Sequence, residues 1–265
     1  MLCFPQLSTG ALAQYPIEKR RLTRTVINQV LSGARLKLAD PDAAAVEWTL
    51  DYQTLTTSER GSIEDLFHAV EGRLGEFLFL DPTDNLLQWS EQLEEPVWER
   101  NLLLGVTGSL EDPMGGAAAS RLSNSGAASL SIEQTVNCPG WFHYGFSVQA
   151  RSDQNTQLRL TRSTLTQTAA SVFNVGPQWK PLLLSGNFGG TEESVRFGIE
   201  VGAGNSVDIY AVQVEAQPGA SGYKKTFSRS GVYSQARFMD DSLLITADGP
   251  GRHSCRVRIT ARVQD

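Results

Sequence analysis

The sequence has few of the residues that build metal centres and disulfide frameworks. Its 265 residues include three cysteines and three histidines. Cys3, Cys138 and Cys255 lie far apart without paired spacing, so neither a zinc knuckle nor a disulfide framework is expected. Reduced thiols in a protein assembled in cytoplasm fit this pattern best. We therefore expect no metal and no cofactor.

Excess positive charge and long apolar runs are also missing. The formal net charge is -6 and the sequence pI is about 5.2. Phosphate contacts need clustered Lys and Arg, so a general nucleic-acid binder is not expected. No apolar run approaches the length of a membrane span. The opening MLCFPQLSTGALAQYPIEKRR lacks the charge order and apolar core of a signal peptide.

Recognisable catalytic signatures are lacking as well. The sequence contains no Gly-x-Ser-x-Gly elbow, no P-loop and no strand–GxGxxG–helix unit. None of the histidines His68, His143 and His253 has a second His or Cys at ligand spacing. Glycoside hydrolysis needs two carboxylates at a defined separation. The adjacent pairs Glu94-Glu95, Glu192-Glu193 and Asp240-Asp241 indicate solvated loops instead. The chain is expected not to be an enzyme.

The first 80 residues predict one helix among strands. Thr56 and Glu59 form a capping-box pattern ahead of apolar residues at helical spacing. The segment VEWTLDYQTL alternates apolar and polar residues, as a half-buried strand does. VINQVLSGARLKLAD predicts a hairpin that turns at Ser32 and Gly33.

From Asn85 onward the chain loses helical periodicity and becomes rich in Gly, Ser and turn signals. Many alternating segments separated by such turns predict a β-sandwich of the jelly-roll type. The predicted strands lie at residues 129–136, 141–152, 156–161, 179–186, 193–201 and 206–215. Pro181 places the 179–186 strand near a sheet edge.

The last 30-odd residues return to the character of the first 80. SLLITADGPGRHSCRVRITARV predicts a hairpin, which is not stable alone and needs a sheet to join. We therefore predict a mainly-β fold with two domains. Residues 1–84 and 229–265 form a discontinuous β domain with one helix, and residues 85–228 form a jelly roll inserted into it.

Aromatic residues supply the candidate binding site. Alternation places Trp141 and His143 on the more polar face of one strand, and Trp179 begins another strand. An exposed Trp can stack on the apolar face of a sugar ring while polar neighbours bond the hydroxyls. The alternative is a Trp at the rim of the core that closes one end of the sandwich.

Several segments resemble tail proteins of long-tailed bacteriophages and prophages. They are FPQLSTGALAQYPI, EWTLDYQTLTTSERGSIEDLF, EGRLGEFLFLDPTDN and SQARFMDDSLLI. They are similar to distal tail proteins, which form rings at the tip of the tail tube. The resemblance implies a structural ring component, with six copies as the expected number, in the virion tail assembled in the host cytoplasm. It also implies the tail tube protein and the hub or tip proteins as partners.

The middle of the chain resembles the carbohydrate-binding-module-like jelly rolls of phage tail and fibre proteins. The likeness lies in NLLQWSEQLEEPVW, DPMGGAAASRL and VDIYAVQVEAQPGASGYKKT. It implies a jelly roll displayed at the baseplate or tail tip, with host cell-surface polysaccharide as a further partner. The alternative function is therefore a host-surface glycan-binding protein of the tail.

The N-terminal segment is the candidate for contacts between subunits or with the tail tube. It is apolar, marked by proline and too irregular for a core strand. The residues proposed for this contact are Phe4, Pro5, Leu7, Tyr15 and Pro16.

Overall fold

The computed structural model describes residues 1–263, apart from the side chain of Pro41. Over these residues the chain forms sixteen strands and one helix, and the strand pairings with a described register are antiparallel. The mainly-β fold class predicted from the sequence is confirmed. Among the described residues, no helix is long and apolar enough to cross a membrane.

The elements follow one another in three runs along the chain. The first run comprises β1 (Ile17–Gln29), β2 (Arg35–Leu55), α1 (Thr57–Ala69) and β3 (Phe77–Leu80). The second begins with β4 (Glu99–Arg100), β5 (Leu104–Leu110), β6 (Ala119–Asn124), β7 (Leu130–Val136) and β8 (Tyr144–Arg151). It continues with β9 (Thr156–Ser163), β10 (Thr168–Val175), β11 (Lys180–Gly186), β12 (Val195–Val201) and β13 (Ser206–Glu215). The third comprises β14 (Val232–Phe238), β15 (Ile245–Gly249) and β16 (Arg252–Arg262).

The chain separates into two compact units. Unit 1 contains Met1–Ser8, Leu12–Phe79 and the chain from Tyr233 onward, and unit 2 contains Thr9–Ala11 and Leu80–Val232. The last two residues of the predicted domain 229–265 lie outside the described residues. The segment Leu80–Val232 of unit 2 begins and ends at the same place. The Asp81 amide donates to the carbonyl of Gly231 at 2.7 Å.

Unit 1 is one six-stranded sheet in the order β1-β2-β16-β14-β3, with β15 paired to β16. The alternation predicted for β2 is borne out, since Val46, Trp48, Leu50 and Tyr52 are all buried. The predicted turn of the first hairpin is also present, with Gly33 in the left-handed region at φ 84°. Glycine adopts this conformation without the steric cost that a Cβ imposes.

The N-terminal segment packs differently from the sequence prediction. Phe4 is 1% exposed and Leu7 is 8% exposed. The Phe4 ring lies 5.7 Å from that of Phe79 and 6.2 Å from that of Phe77. The prediction that Phe4 and Leu7 face a neighbouring subunit is therefore wrong, because an apolar segment needs no strand periodicity to fill a core. Pro5 is half-buried, whereas Tyr15 and Pro16 are exposed.

Helix α1 begins with the predicted capping box. Thr56 Oγ1 accepts from the Glu59 amide at 3.2 Å, and Glu59 Oε2 accepts from the Thr56 amide at 2.8 Å. Glu59 Oε1 also accepts from the amide and the hydroxyl of Ser8. Burial raises the pKa of Glu59, but the hydrogen bonds from Ser8 and Thr56 outweigh it and lower the pKa to about 2.

Unit 2 is a β-sandwich of the predicted jelly-roll type. Its five-stranded sheets run in the orders β10-β9-β12-β7-β4 and β11-β8-β13-β6-β5. Inward-facing Tyr144 and Phe146 of β8 meet Phe197 of β12 with ring centroids 5.7 and 5.6 Å apart. Strand β11 with Pro181 is an edge strand, as predicted. The strands β5, β6 and β10 were not predicted from the sequence.

Candidate functional site

The most site-like surface of unit 2 is a cluster of three aromatic side chains, named here the aromatic shelf. It consists of Trp179, Tyr210 and Tyr223 and lies on the outer face of the β11-β8-β13-β6-β5 sheet. The faces follow from alternation: Val207 and Ile209 of β13 are buried inward, so Tyr210 points outward. All three aromatic side chains are half-buried.

The shelf rings form a continuous row. The ring centroids of Trp179 and Tyr210 are 6.4 Å apart at an interplanar angle of 71°. Those of Tyr210 and Tyr223 are 5.5 Å apart at 58°. The guanidinium carbon of Arg151 lies 4.8 Å from the Trp179 ring centroid, a cation–π distance. Half-buried rings held against one another keep their orientation when a ligand approaches.

A row of charged side chains crosses the sheet beside the shelf. Asp208, 1% exposed, accepts from Arg121 Nε at 2.6 Å and from Arg151 Nε at 3.0 Å. Burial raises the pKa of Asp208, but the hydrogen bonds from the two arginines outweigh it and lower that pKa. The exposed Asp153 lies 3.2 Å from Arg121. Asp208 thus fixes Arg151, and Arg151 in turn covers part of Trp179.

A β-bulge in β13 lies directly after Tyr210. Its pairing with β8 shifts register between Tyr210 and Gln213, and Ala211 has φ 56°. Bulges re-aim side chains, and a non-glycine residue at positive φ is held there by its surroundings. Asn85 supplies that support: its Nδ2 donates to the Val212 carbonyl at 2.9 Å, and its Oδ1 accepts from the Val214 amide at 3.0 Å.

A buried polar clamp holds the segment that carries Tyr223. Glu215, 2% exposed, accepts from the Ser221 amide at 2.9 Å and from Lys224 Nζ at 2.5 Å. Gln213 Oε1 accepts from the Lys224 amide at 2.7 Å. Tyr223 itself pairs with Ser90 through hydroxyls 2.8 Å apart. The VQVE segment singled out in the sequence therefore places Tyr223 beside Tyr210.

The other two predicted binding residues lie at the opposite end of β8. Trp141 and His143 precede the strand, in a turn, and are half-buried. His143 Nε2 is 2.9 Å from Ser185 Oγ. From His143 to Arg151 is eight residues of extended chain, or roughly 26 Å at about 3.3 Å per residue. The structure therefore does not bring Trp179 together with Trp141 and His143.

Burial limits what the Trp141 end of the sandwich offers to a ligand. Burial and the positive charge of Arg162 lower the pKa of His143. Arg162, 2% exposed, lies with its guanidinium 4.5 Å from the Phe188 ring centroid and donates to the carbonyls of Gly186 and Asn187. Arg162, Phe188 and the carbonyls of Gly186 and Asn187 therefore pack together near this end of β8.

A second surface depression lies at the β9–β10 hairpin and has a volume of about 460 Å³. It is open and lacks an aromatic ring for a ligand to stack on. Its lining is Asn155, Thr156, Gln157, Asn174, Val175 and Gly176. Within residues 1–263, no group of three or more His, Cys, Asp or Glu side chains is placed to hold a metal ion.

Sequence reasoning missed most of the shelf and its supports. The alternation of SVDIYAVQVE places Asp208 and Tyr210 on the outer face, and this signal was present in the sequence. Pairing with β8 then sets Asp208 opposite Arg151 and Tyr210 opposite Gln149. The register between β8 and β13 could not be predicted from the sequence of β13 alone.

No protein-family model matches the sequence, and no curated protein matches it. Solved structures match about half of the chain at low sequence identity. An enzymatically active domain of tailspike protein 4 from bacteriophage CBA120 is 16% identical, over 52% of this chain and 22% of that one, with a TM-score of 0.42.

Two carbohydrate-binding modules match over most of their own length. The C-terminal family 22 module of Clostridium thermocellum Xyn10B is 16% identical over 53% of this chain and 99% of its own, with a TM-score of 0.43. A family 61 module in complex with β-1,4-galactotriose is 15% identical over 49% and 97%, with a TM-score of 0.40.

Proposed function

We propose that unit 2 is a saccharide-binding module whose ligand stacks on the aromatic shelf. The observation that carries this proposal is the row of Trp179, Tyr210 and Tyr223, half-buried and held beside fixed charged groups on one sheet face. A sugar ring offers an apolar face to an aromatic ring and a rim of hydroxyls to polar neighbours.

The polar neighbours of the shelf match what a saccharide needs. Gln149 lies opposite Tyr210 in the β8–β13 register and carries both a donor and an acceptor. The side chains of Arg121 and Arg151 are partly exposed, and Asp208 holds them in place. Burial, followed by the charges of Asp112 and Glu91, raises the pKa of Tyr210, so its hydroxyl remains a donor at neutral pH.

We propose binding without hydrolysis. A glycosidase needs one carboxyl group that keeps its proton near neutral pH. The hydrogen bonds from Arg121 and Arg151 lower the pKa of Asp208, against the opposite effect of burial. Asp112 likewise accepts hydrogen bonds from the amides of Met114, Gly116 and Ala118. Both carboxylates therefore serve as hydrogen-bond acceptors that hold neighbouring groups in place, and not as proton donors.

A glycan array tests this proposal. The full chain is applied to bacterial capsular and cell-wall glycans, together with Trp179→Ala and the matched control Trp141→Ala. We expect at least one glycan to bind, and stacking worth about 1–3 kcal/mol makes the Trp179 variant roughly 5- to 150-fold weaker. The Trp141 variant should bind as the wild type does. Binding to no glycan, or loss confined to the Trp141 variant, would contradict the proposal.

We propose a second role, which belongs to unit 1. Unit 1 self-assembles as a ring component of a virion tail, and the ring displays unit 2. The sequence resemblance motivates it, and one structural observation favours it. Strand β1 forms an edge of the unit 1 sheet, and among residues 1–263 the strand that pairs with it is β2. Edges of this kind serve pairing between chains.

A further inference from the structure

Unit 2 carries a second pair of aromatic rings besides those of the shelf. Phe227 is 52% exposed, and its ring centroid lies 6.1 Å from that of the half-buried Trp89 at an interplanar angle of 87°. Lys225 Nζ lies 4.9 Å from the Phe227 ring centroid, a cation–π distance. We name Trp89 and Phe227 the second pair. Its edge-to-face arrangement leaves an aromatic surface open to solvent on the Phe227 side.

The chain segment that carries Tyr223 of the shelf also carries Phe227. Burial alternates along it, because Thr226 is 5% exposed and Lys224 belongs to the buried clamp, whereas Lys225 and Phe227 are exposed. Alternate side chains of an extended segment point to the same side. Tyr223, Lys225 and Phe227 therefore share the side that faces solvent.

An ion pair joins the shelf to the second pair. Lys225 Nζ, which lies against the Phe227 ring, pairs with Glu91 Oε2. Glu91 is hydrogen-bonded in turn to the Tyr223 hydroxyl. The path from Tyr223 to Phe227 is thus a series of direct contacts, and it places a hydrogen-bond acceptor and a donor between the two aromatic surfaces.

The backbone of Trp89 is held in a conformation that carries a steric cost. Its φ of 51° lies in the left-handed region, which residues other than glycine seldom adopt. The Trp89 amide donates to the carbonyl of Phe227 at 2.8 Å, and the Trp89 carbonyl accepts from the Gln92 amide at 3.0 Å and from Trp98 Nε1 at 3.1 Å. Backbone strain that the surroundings maintain in this way is concentrated at ligand-binding positions.

We propose that the second pair is a second stacking position for the ligand of the shelf, so that unit 2 binds a linear oligosaccharide along its chain and not a single sugar. This inference rests on the saccharide binding proposed for the shelf and names the class of saccharide. One sugar ring stacks on the shelf and another on Phe227, while Glu91 and Lys225 bond hydroxyls between them. Two positions occupied by one chain raise the affinity above that of either position alone.

Calorimetric titration of the full chain tests the inference. The ligands are oligomers of increasing length of a glycan selected on the array, beginning with the shortest that binds. Phe227→Ala removes the second position, and Trp179→Ala removes part of the shelf. The control is Leu165→Ala, since Leu165 is 92% exposed in the turn between β9 and β10. Phe227→Leu keeps an apolar side chain against Trp89 and replaces Phe227→Ala if that variant melts at a lower temperature.

We expect the affinity of the wild type to rise with chain length until the oligomer reaches the second pair. The Phe227 variants should bind the long oligomers roughly 5- to 150-fold more weakly and the shortest one within about threefold of the wild type. Trp179→Ala should weaken the binding of both, and Leu165→Ala should bind as the wild type does.

Two results would overturn the second position and leave the shelf standing. One is equal binding of the long oligomers by the Phe227 variants and the wild type. The other is the same weakening of short and long oligomers in the Phe227 variants, which would make Phe227 a support of the shelf. A wild type that binds no saccharide would overturn both the second position and the shelf.

Discussion

The two ends of strand β8 place a tryptophan in opposite kinds of surroundings. At one end Trp179 adjoins Tyr210 and Arg151, outside the sandwich and beside charged groups tied to Asp208. At the other end Trp141 lies in a turn near the closed edge of the sandwich, with Phe142 as its ring contact at 6.0 Å. The residue type is the same at both ends, so the surroundings decide which tryptophan is available to a ligand.

The largest effect is expected at the charged row that supports the Trp179 end. Asp208→Asn leaves Arg121 and Arg151 without their shared partner. We expect a loss of about 2–3 kcal/mol in the free energy of unfolding, below the value for a fully buried pair because the arginines are partly exposed. Denaturant unfolding measures it. Asp153→Asn is the control, since Asp153 is 76% exposed and its loss should cost less than about 0.5 kcal/mol. Equal losses in both variants would refute a supporting role for Asp208.

A smaller effect is expected where the clamp holds the third ring of the shelf. Glu215→Gln turns one acceptor oxygen into a donor that faces the donors of Ser221 and Lys224. We expect a loss of about 1–2 kcal/mol in unfolding free energy, and weaker glycan binding because Tyr223 is less well placed. The control is Glu200→Gln, where Arg159 is the ion-pair partner at 3.3 Å. Unchanged glycan affinity in the Glu215 variant would remove Tyr223 from the site.

The smallest effect concerns His143 at the Trp141 end. Burial and the charge of Arg162 lower its pKa in the folded chain, so the unfolded chain takes up a proton first as the pH falls. Stability should therefore decrease as the pH falls through the ordinary histidine range of about 6.5. His143→Gln removes this contribution, so its melting temperature should depend less on pH between neutral and mildly acidic buffer. Parallel melting curves for the two proteins would contradict the assignment.

The elements that could be predicted from the sequence are those whose residues follow a regular spacing. Alternation in β2 was read correctly because Val46, Trp48, Leu50 and Tyr52 are buried on one face, and the capping box of α1 was read correctly because Thr56 and Glu59 stand three residues apart. The bulge after Tyr210 was not predictable, since Ala211 and Val212 are both apolar and fit either register. The shelf depends on that bulge and on pairing across strands.

The sequence does not show how segments without a period pack, or what covers a predicted hairpin. Phe4 follows no alternation, yet it fills the aromatic core of unit 1. The hairpin predicted for VINQVLSGARLKLAD is present, but its residues 26–38 are exposed because the pairing of β16 with β2 stops at Ala45. Periodicity predicts the type of secondary structure, and it does not predict which residues pack against that element.

The most direct test of the central claim uses the indole N–H signals of the five tryptophans. Titration of the full chain with a glycan selected on the array, followed by two-dimensional NMR, reports on each ring separately. Trp179→Phe and Trp141→Phe assign the two signals of interest. The account predicts that the Trp179 signal shifts with the ligand and that the Trp141 signal stays in place. A shift at Trp141 with Trp179 unmoved would contradict it.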